Sequence, residues 1–282
     1  MRREFIAREE TLTASPVYRY ITNRHTPDGR TVAELYGTEN FCHLLYSLVR
    51  MDRPAVVVEL GCGGGATALM ASQALHENEH GHLWTIDNGS DWDDDLVRTS
   101  CLAAAELNGS DVGYSAFITT LRERCGLAER CSLVEMTLNG TEFFDPGQKI
   151  DVLFADATPS HAEGCLALLK YYLPRVNNYS SIFIDRAGTI NHAWMVLRYV
   201  LNCFQAGRIP SHLIDGCTDD EVRAMERLVK TCEFQLINLT ETGRKKATMQ
   251  NSRAWIKIQP LDYVPHNGVL TFSSITSPWP LT

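Results

Sequence analysis

The chain of 282 residues reads as an α/β protein built on a doubly wound sheet, and three observations carry that reading. Residues 55–66, Ala-Val-Val-Val-Glu-Leu-Gly-Cys-Gly-Gly-Gly-Ala, are a short apolar, β-branched run that stops in a glycine-dense turn. That is the pattern of a strand buried on both faces of a parallel sheet. Residues 67–75 follow with Ala68, Leu69, Ala71 and Leu75 at helical spacing. A second apolar run, His82-Leu-Trp-Thr-Ile-Asp87, then ends in an acid about 20 residues beyond the glycines, where a carboxylate accepts the hydroxyls of a ribose. Strand, glycine turn, helix, and a strand with a terminal acid together open a nucleotide-binding sheet.

The remaining elements follow in order. Residues 1–50 read as helices ahead of the first strand, a cap or lid on the domain; Val32, Leu35, Phe41, Leu44, Leu45 and Leu48 have helical spacing, broken near Gly37. Residues 88–111 are polar and acidic, with a short helix over 96–107. A helix over 114–125 is stopped by Gly126, and 131–136 is the third strand. The fourth, 150–155, follows the turn Asp145-Pro-Gly147 and ends in Asp156. Pro159 and Ser160 signal the start of a helix over 161–172. The fifth strand, 181–184, ends in Asp185 and is followed by a helix over 191–204. After a loop over 205–217, Thr218-Asp-Asp-Glu221 forms a capping box that opens a helix to about residue 228. Residues 234–239 and 254–259 are the last strands, joined by a polar loop with Arg244-Lys245-Lys246. Residues 51–265 thus make one domain with insertions near 90–111 and 205–217, and 266–282 form a tail. The alternation of strands and helices supports α/β and no finer class.

Composition narrows the function. No apolar run reaches the ~18 residues of a membrane span. The N-terminus, Met-Arg-Arg-Glu-Phe-Ile-Ala-Arg-Glu-Glu, lacks the apolar centre of a signal peptide, so a cytoplasmic protein with no membrane partner is expected. The nine cysteines include no C-x-x-C pair and read as small apolar core residues rather than zinc ligands or disulfides. The net charge of −8, and the run Asp91-Trp92-Asp93-Asp94-Asp95 beside the strand-end acid, argue against nucleic acid as a partner.

The glycine spacing G-x-G-G-G differs from the G-x-G-x-x-G of pyrophosphate binders. Glu59, two residues before the first glycine, suits a cationic or amino-acid-bearing ligand better than a diphosphate. Both features weigh against a nicotinamide-dependent oxidoreductase of similar topology. At these residues the chain resembles the class I S-adenosylmethionine-dependent methyltransferases. Their first motif, acid-x-Gly-x-Gly-x-Gly, is matched by Glu59, Gly61, Gly63 and Gly65, and their ribose acid by Asp87. The resemblance covers residues 33–260 and is nearest to small-molecule O-methyltransferases that tailor natural products and sugars, more distantly to the catechol type. It implies a Rossmann-like seven-strand sheet with the last strand antiparallel and an N-terminal helical lid. It also implies S-adenosylmethionine as cofactor, S-adenosylhomocysteine as product, a small-molecule acceptor and a homodimer joined through the N-terminal helices.

The site residues follow from the resemblance. Glu59 and the backbone of Gly61, Gly63 and Gly65 belong to the amino-acid end of the cofactor, Asp87 to the ribose and Thr137 to the adenine; Asn88 is a further cofactor-binding residue, and Asp156, at the strand end facing the cofactor, is both a cofactor-binding and a catalytic candidate. In such enzymes an Asp ending the fourth strand is followed by a His opening the next helix, matched by Asp156 and His161. His161 is the expected general base, worth about 10²–10⁴-fold, with helix capping as the alternative reading. His192, opening the helix after the fifth strand, is the next candidate, or else a surface histidine. Asp156 and Asp185 could supply two oxygen ligands to a divalent cation. The third position of the catechol-type site is Arg186, which cannot bind one, so no metal is expected. Arg186 is instead expected to grip an acidic substrate group or to form an ion pair. Tyr18, Tyr20, Trp92 and Tyr114 are candidate acceptor walls, and Trp84 and Cys62 are read as packing residues. The expected function is methyl transfer to a hydroxyl of a small molecule; the alternative is a protein of this fold that binds the cofactor with N- or C-methylating or non-methylating activity.

Overall fold

In the computed structural model, which describes residues 14–23, 29–107, 112–138, 143–156, 161–240 and 252–262, every residue of strand β1 (Val56–Leu60) is buried. Burial on both faces requires a central place in a sheet covered on both sides. β1 pairs in parallel with β2 (His82–Asp87) on one side and β4 (Ile150–Ala155) on the other. β3 (Cys131–Glu135) extends the sheet beyond β2, and β5 (Val176–Asp185) beyond β4, both parallel. β7 (Ser252–Pro260) inserts antiparallel between β5 and β6 (Cys232–Thr240), giving the order β3-β2-β1-β4-β5-β7-β6. The order reverses between β1 and β4, and ligands of such sheets bind beyond the carboxyl ends of the strands at that switch point.

The helices fill both faces. On one side, α1 (Pro16–Thr22), α2 (Val32–Leu35), α3 (Glu39–Asp52), α4 (Ala66–Glu77), α5 (Asp95–Ala104) and α6 (Tyr114–Arg124) share one apolar core with the sheet. Val17, Ile21 and Leu45 lie in it beside Leu69, Met70, Val57 and Phe154. Phe41 of α3 packs at 4.6 Å from Phe154 and 5.2 Å from Phe183, which fixes the N-terminal helices to the strands over the switch point. On the other side, α7 (Ala162–Tyr172), α8 (Asn191–Gln205), the single turn α9 (Ser211–Ile214) and α10 (Asp219–Thr231) cover Val58, Leu60, Leu153 and Ile182. The two cores follow from the period of two along β1, which sends Val57 to one face and Val56, Val58 and Leu60 to the other.

Several boundaries differ from the sequence reading, three of them as follows. β5 begins at Val176 rather than 181, because polar Asn177 and Ser180 are satisfied within the sheet: Asn177 Nδ2 donates to Asp151 at 2.6 Å and Ser180 pairs with Ile258. The 205–217 segment contains α9 rather than only loop. α7 begins at Ala162, with His161 as its N-cap. The capping box of α10 is present as expected, Glu221 N donating to Thr218 Oγ1 at 3.3 Å and Thr218 N to Glu221 Oε2 at 2.9 Å. All nine cysteines are free thiols, seven of them buried. Among the described residues no helix is long and apolar enough to cross a membrane. Residues 1–13, Pro159, Ser160, Arg244-Lys245-Lys246 and the 263–282 tail lie outside the described residues.

Candidate active site

The glycine turn is tied to the end of β2 by its own amides. Gly61 N donates to Ile86 O at 2.8 Å, Cys62 N and Gly63 N donate to Asp87 Oδ2 at 2.7 and 2.9 Å, and Gly65 N donates to Cys62 O at 2.9 Å. Asp87 Oδ1 accepts from Gly89 N at 2.7 Å. Three backbone donors thus use most of the roughly four lone-pair directions of the Asp87 carboxylate. Gly63 has φ +50, and a Cβ there would lie 2.6 Å from the Tyr36 ring. The turn needs glycine both for its left-handed backbone and for this close approach.

Glu59 is 2% exposed, and both its oxygens are engaged. Thr67 Oγ1 donates to Oε1, and Thr85 Oγ1 to Oε2 at 2.6 Å. Burial pushes its carboxyl up to about 7, Asp156 and Asp87 adding to the push against the two threonine hydroxyls. The folded-state value stands above the ordinary 4.5, so between those two pH values the folded protein holds a proton that the unfolded chain has lost. Stability therefore falls as pH rises through that window and levels off above it. Glu59→Gln is expected to flatten this slope and to raise stability at pH ~8 by on the order of 3 kcal/mol, from the size of the shift. Urea unfolding across the pH range reads both effects; identical slopes in the two proteins would show that Glu59 does not set them.

Asn88 and Thr137, both exposed, come together, with Asn88 Nδ2 donating to Thr137 Oγ1 at 3.3 Å. Of the four aromatic wall candidates, three cluster around the glycine turn and the segment after β2. Tyr20 Oη donates to Gly64 O at 2.5 Å. Trp92 packs at 4.5 Å on Phe117 and 5.8 Å from Tyr114, its Nε1 donating to Val112 O at 2.8 Å. Tyr114 lies against Gly89, where an added Cβ would be 2.7 Å from its ring. Tyr18 packs toward His43 at 6.1 Å instead. Trp84 packs between His82 and Phe144.

The ends of β4 and β5 bring two acids and two arginines together. The carboxyls of Asp156 and Asp185 lie close enough to interact directly. Burial raises the proton affinity of both, and mutual repulsion raises that of Asp185 further, against the pull of Arg253 and Arg186. Arg253, 3% exposed, places Nε 3.1 Å from Asp185 Oδ1 and donates from Nη2 to Gly37 O at 3.1 Å. Arg186 Nε lies 3.3 Å from Asp185 Oδ2 on a side chain 44% exposed. Arg186 has a left-handed backbone, φ +61, costly for a non-glycine residue. It is held there by Arg186 N donating to Ser252 O at 2.7 Å and by Thr189 N and Ile190 N donating to its carbonyl, both at 3.2 Å. The acid pair is flanked by the guanidiniums of Arg186 and Arg253. Among the described residues no three metal-ligating side chains converge.

His161 is exposed, and its Nδ1 accepts from Gly164 N at 3.1 Å. A neutral ring with Nδ1 as acceptor carries its proton on Nε2, so it has no free lone pair with which to take another. The geometry makes His161 a helix cap, and a role as general base would require that bond to open. His192 is exposed on the first turn of α8.

The sequence reading did not name Tyr36, Thr67, Thr85, Asp91 or Arg253 as site residues. Asp91, whose carboxyl burial pushes up, interacts with Asp87 and Arg186 and so joins the two halves of the site. Only its place in the acidic run after β2 signalled it; the other four reach the site through tertiary packing.

Residues 58–186 match a family described as a methyltransferase domain. The matched segment begins in β1, ends at Arg186, and includes Glu59, the glycine turn, Asp87 and the Asp156–Asp185 pair. No curated protein matches the chain. Among solved structures the chain is similar to an S-adenosylhomocysteine-bound methyltransferase from Podospora anserina, at 13% identity over 92% of this chain and 96% of that one, with a TM-score of 0.46. It is also similar to the O-methyltransferase TomG from Streptomyces achromogenes in complex with S-adenosylmethionine, at 16% identity over 78% and 80% of the chains and a TM-score of 0.43. A third is an O-methyltransferase from Bacillus cereus in complex with S-adenosylhomocysteine, at 14% identity over 78% and 81% and a TM-score of 0.44. The residues present fit such a cofactor: a glycine turn that a Cβ would fill, a ribose-type acid at the next strand end, and buried tyrosine hydroxyls without partners beside them. Residues 58–186 thus match a methyltransferase domain, set on a sheet of order β3-β2-β1-β4-β5-β7-β6.

Proposed function

We propose that the protein methylates a hydroxyl oxygen of a small molecule without a divalent cation, and that the Asp156–Asp185 pair receives the hydroxyl proton. The observation that carries this reading is the acid pair at the ends of β4 and β5, held between Arg186 and Arg253. The cofactor supplies a methyl group on a sulfonium centre, already electrophilic. The chain must hold the acceptor in line and take its proton. A hydroxyl has to lose a proton as it attacks, whereas a neutral amine attacks through a free lone pair; a built proton-accepting site therefore favours oxygen. Burial favours the neutral form of the acids, so the pair is suited to accepting a proton. Arg186, half exposed beside the pair, is placed to orient the acceptor's polar groups.

The test is methyl transfer to a panel of hydroxyl-bearing and amine-bearing small molecules, read by mass spectrometry with and without EDTA. O-methylated product formed at the same rate in both conditions is expected. Product confined to amines, or transfer abolished by EDTA and restored by magnesium, would overturn the proposal.

A further inference from the structure

We propose that the hydroxyls of Tyr36 and Tyr114 hold the carboxylate of the cofactor's amino-acid end, so that the N-terminal helices supply part of the cofactor site. This rests on the S-adenosylmethionine-dependent assignment and adds residues outside the glycine motif.

Tyr36 is the C-cap of α2, and its ring lies on the glycine turn: a Cβ on Gly63 would be 2.6 Å from it and one on Gly64 2.9 Å. Tyr20 pins α1 to the same turn through its bond to Gly64 O. Tyr114, the first residue of α6, lies against Gly89 and interacts with Cys62 of the turn. Both the Tyr36 and Tyr114 hydroxyls are buried without a hydrogen-bond partner, and the Cys62 thiol of the turn stands beside that of Tyr114. Burying a hydroxyl with no partner is costly, and a pair of them at one turn calls for a ligand that satisfies both.

The ligand chemistry follows from the donors. Burial pushes both phenols well above their usual range, so they remain neutral O–H donors. The amides of Gly61, Cys62, Gly63 and Gly65 are already engaged within the fold. An anion arriving at the turn therefore meets the two hydroxyls as donors not already engaged in the fold. An α-amino acid carboxylate carried on a nucleoside thioether is such an anion, placed within reach of Asp87 for its ribose.

Calorimetric titration of the full chain with S-adenosylhomocysteine and with 5′-methylthioadenosine, which keeps the nucleoside and thioether but lacks the amino-acid end, tests this. Tyr36→Phe and Tyr114→Phe are each expected to weaken S-adenosylhomocysteine binding by about tenfold, as for loss of one hydrogen bond to a charged group. They should leave 5′-methylthioadenosine binding unchanged, and the ligand-free protein should melt no lower than the unaltered one, since each removes a buried hydroxyl without a partner. Unchanged S-adenosylhomocysteine affinity in both variants would overturn the proposal, as would equal losses for the two ligands. If the unaltered protein binds neither ligand, the cofactor assignment falls and the proposal with it.

Discussion

Asp156→Asn is expected to lower the rate of methyl transfer by about 10²-fold or more, while His161→Ala lowers it by less than about tenfold. Asn keeps the shape of Asp156 and can still hydrogen-bond Asp185, but it cannot take a proton, so the loss should appear in kcat and not in the affinity for S-adenosylhomocysteine. His161→Ala removes the acceptor for Gly164 N at the start of α7. Loss of such a cap typically costs about 1 kcal/mol, so this variant should melt at a lower temperature while keeping most of its turnover. The two variants thus separate along different axes. The reverse order, a dead His161→Ala enzyme of normal stability beside an active Asp156→Asn enzyme, would return the general base to the imidazole and require the cap bond to open during turnover.

Gly63→Ala should be the most damaging single-methyl change in the cofactor site. The left-handed backbone at Gly63 costs an L-residue about 1–2 kcal/mol. The added Cβ would meet the Tyr36 ring at 2.6 Å, and that ring is wedged against Gly64 as well. Overpacking of this kind adds about 1–3 kcal/mol and moves the groups that shape the turn. A lower melting temperature together with a loss of S-adenosylhomocysteine affinity of tenfold or more is expected. Gly113→Ala is the control: its backbone is extended, with φ −69, and a Cβ there meets nothing within 4 Å. Wild-type melting and affinity in Gly63→Ala would mean that the Tyr36–glycine contact does not shape the site.

The fold was legible where local chemistry and tertiary role agree. The run Val56-Val57-Val58 ahead of the glycines can be little else than a buried strand, and the Thr218–Glu221 capping box announces α10 through bonds made within one turn. Legibility failed where a segment is satisfied by distant partners. Asn177 to Ser180 read as loop because they are polar, yet Asp151 and β7 complete their bonding and make them the first half of β5.

The site shows the same division. Glu59, the glycines, Asp87, Asp156, Asp185 and Arg186 stand at the strand ends, at offsets that the sequence pattern shows. What the pattern could not supply is how they meet. That Asp156 and Asp185 come together depends on a sheet register, and Arg253 reaches Asp185 from the last strand. Tyr36 looked like an ordinary residue near a helix break; only the packing of α2 on the turn brings its ring to Gly63. For His161 both a base and a cap were readable from its place ahead of a helix, and the Nδ1 bond to Gly164 N separates them.

The central claim is that this domain binds S-adenosylmethionine through its own residues, without help from a metal. Calorimetric titration of the full chain with S-adenosylhomocysteine, repeated in EDTA, tests it most directly. The account predicts one-to-one, micromolar binding that EDTA leaves unchanged. No heat of binding with either S-adenosylhomocysteine or S-adenosylmethionine, or binding that EDTA abolishes, would contradict it.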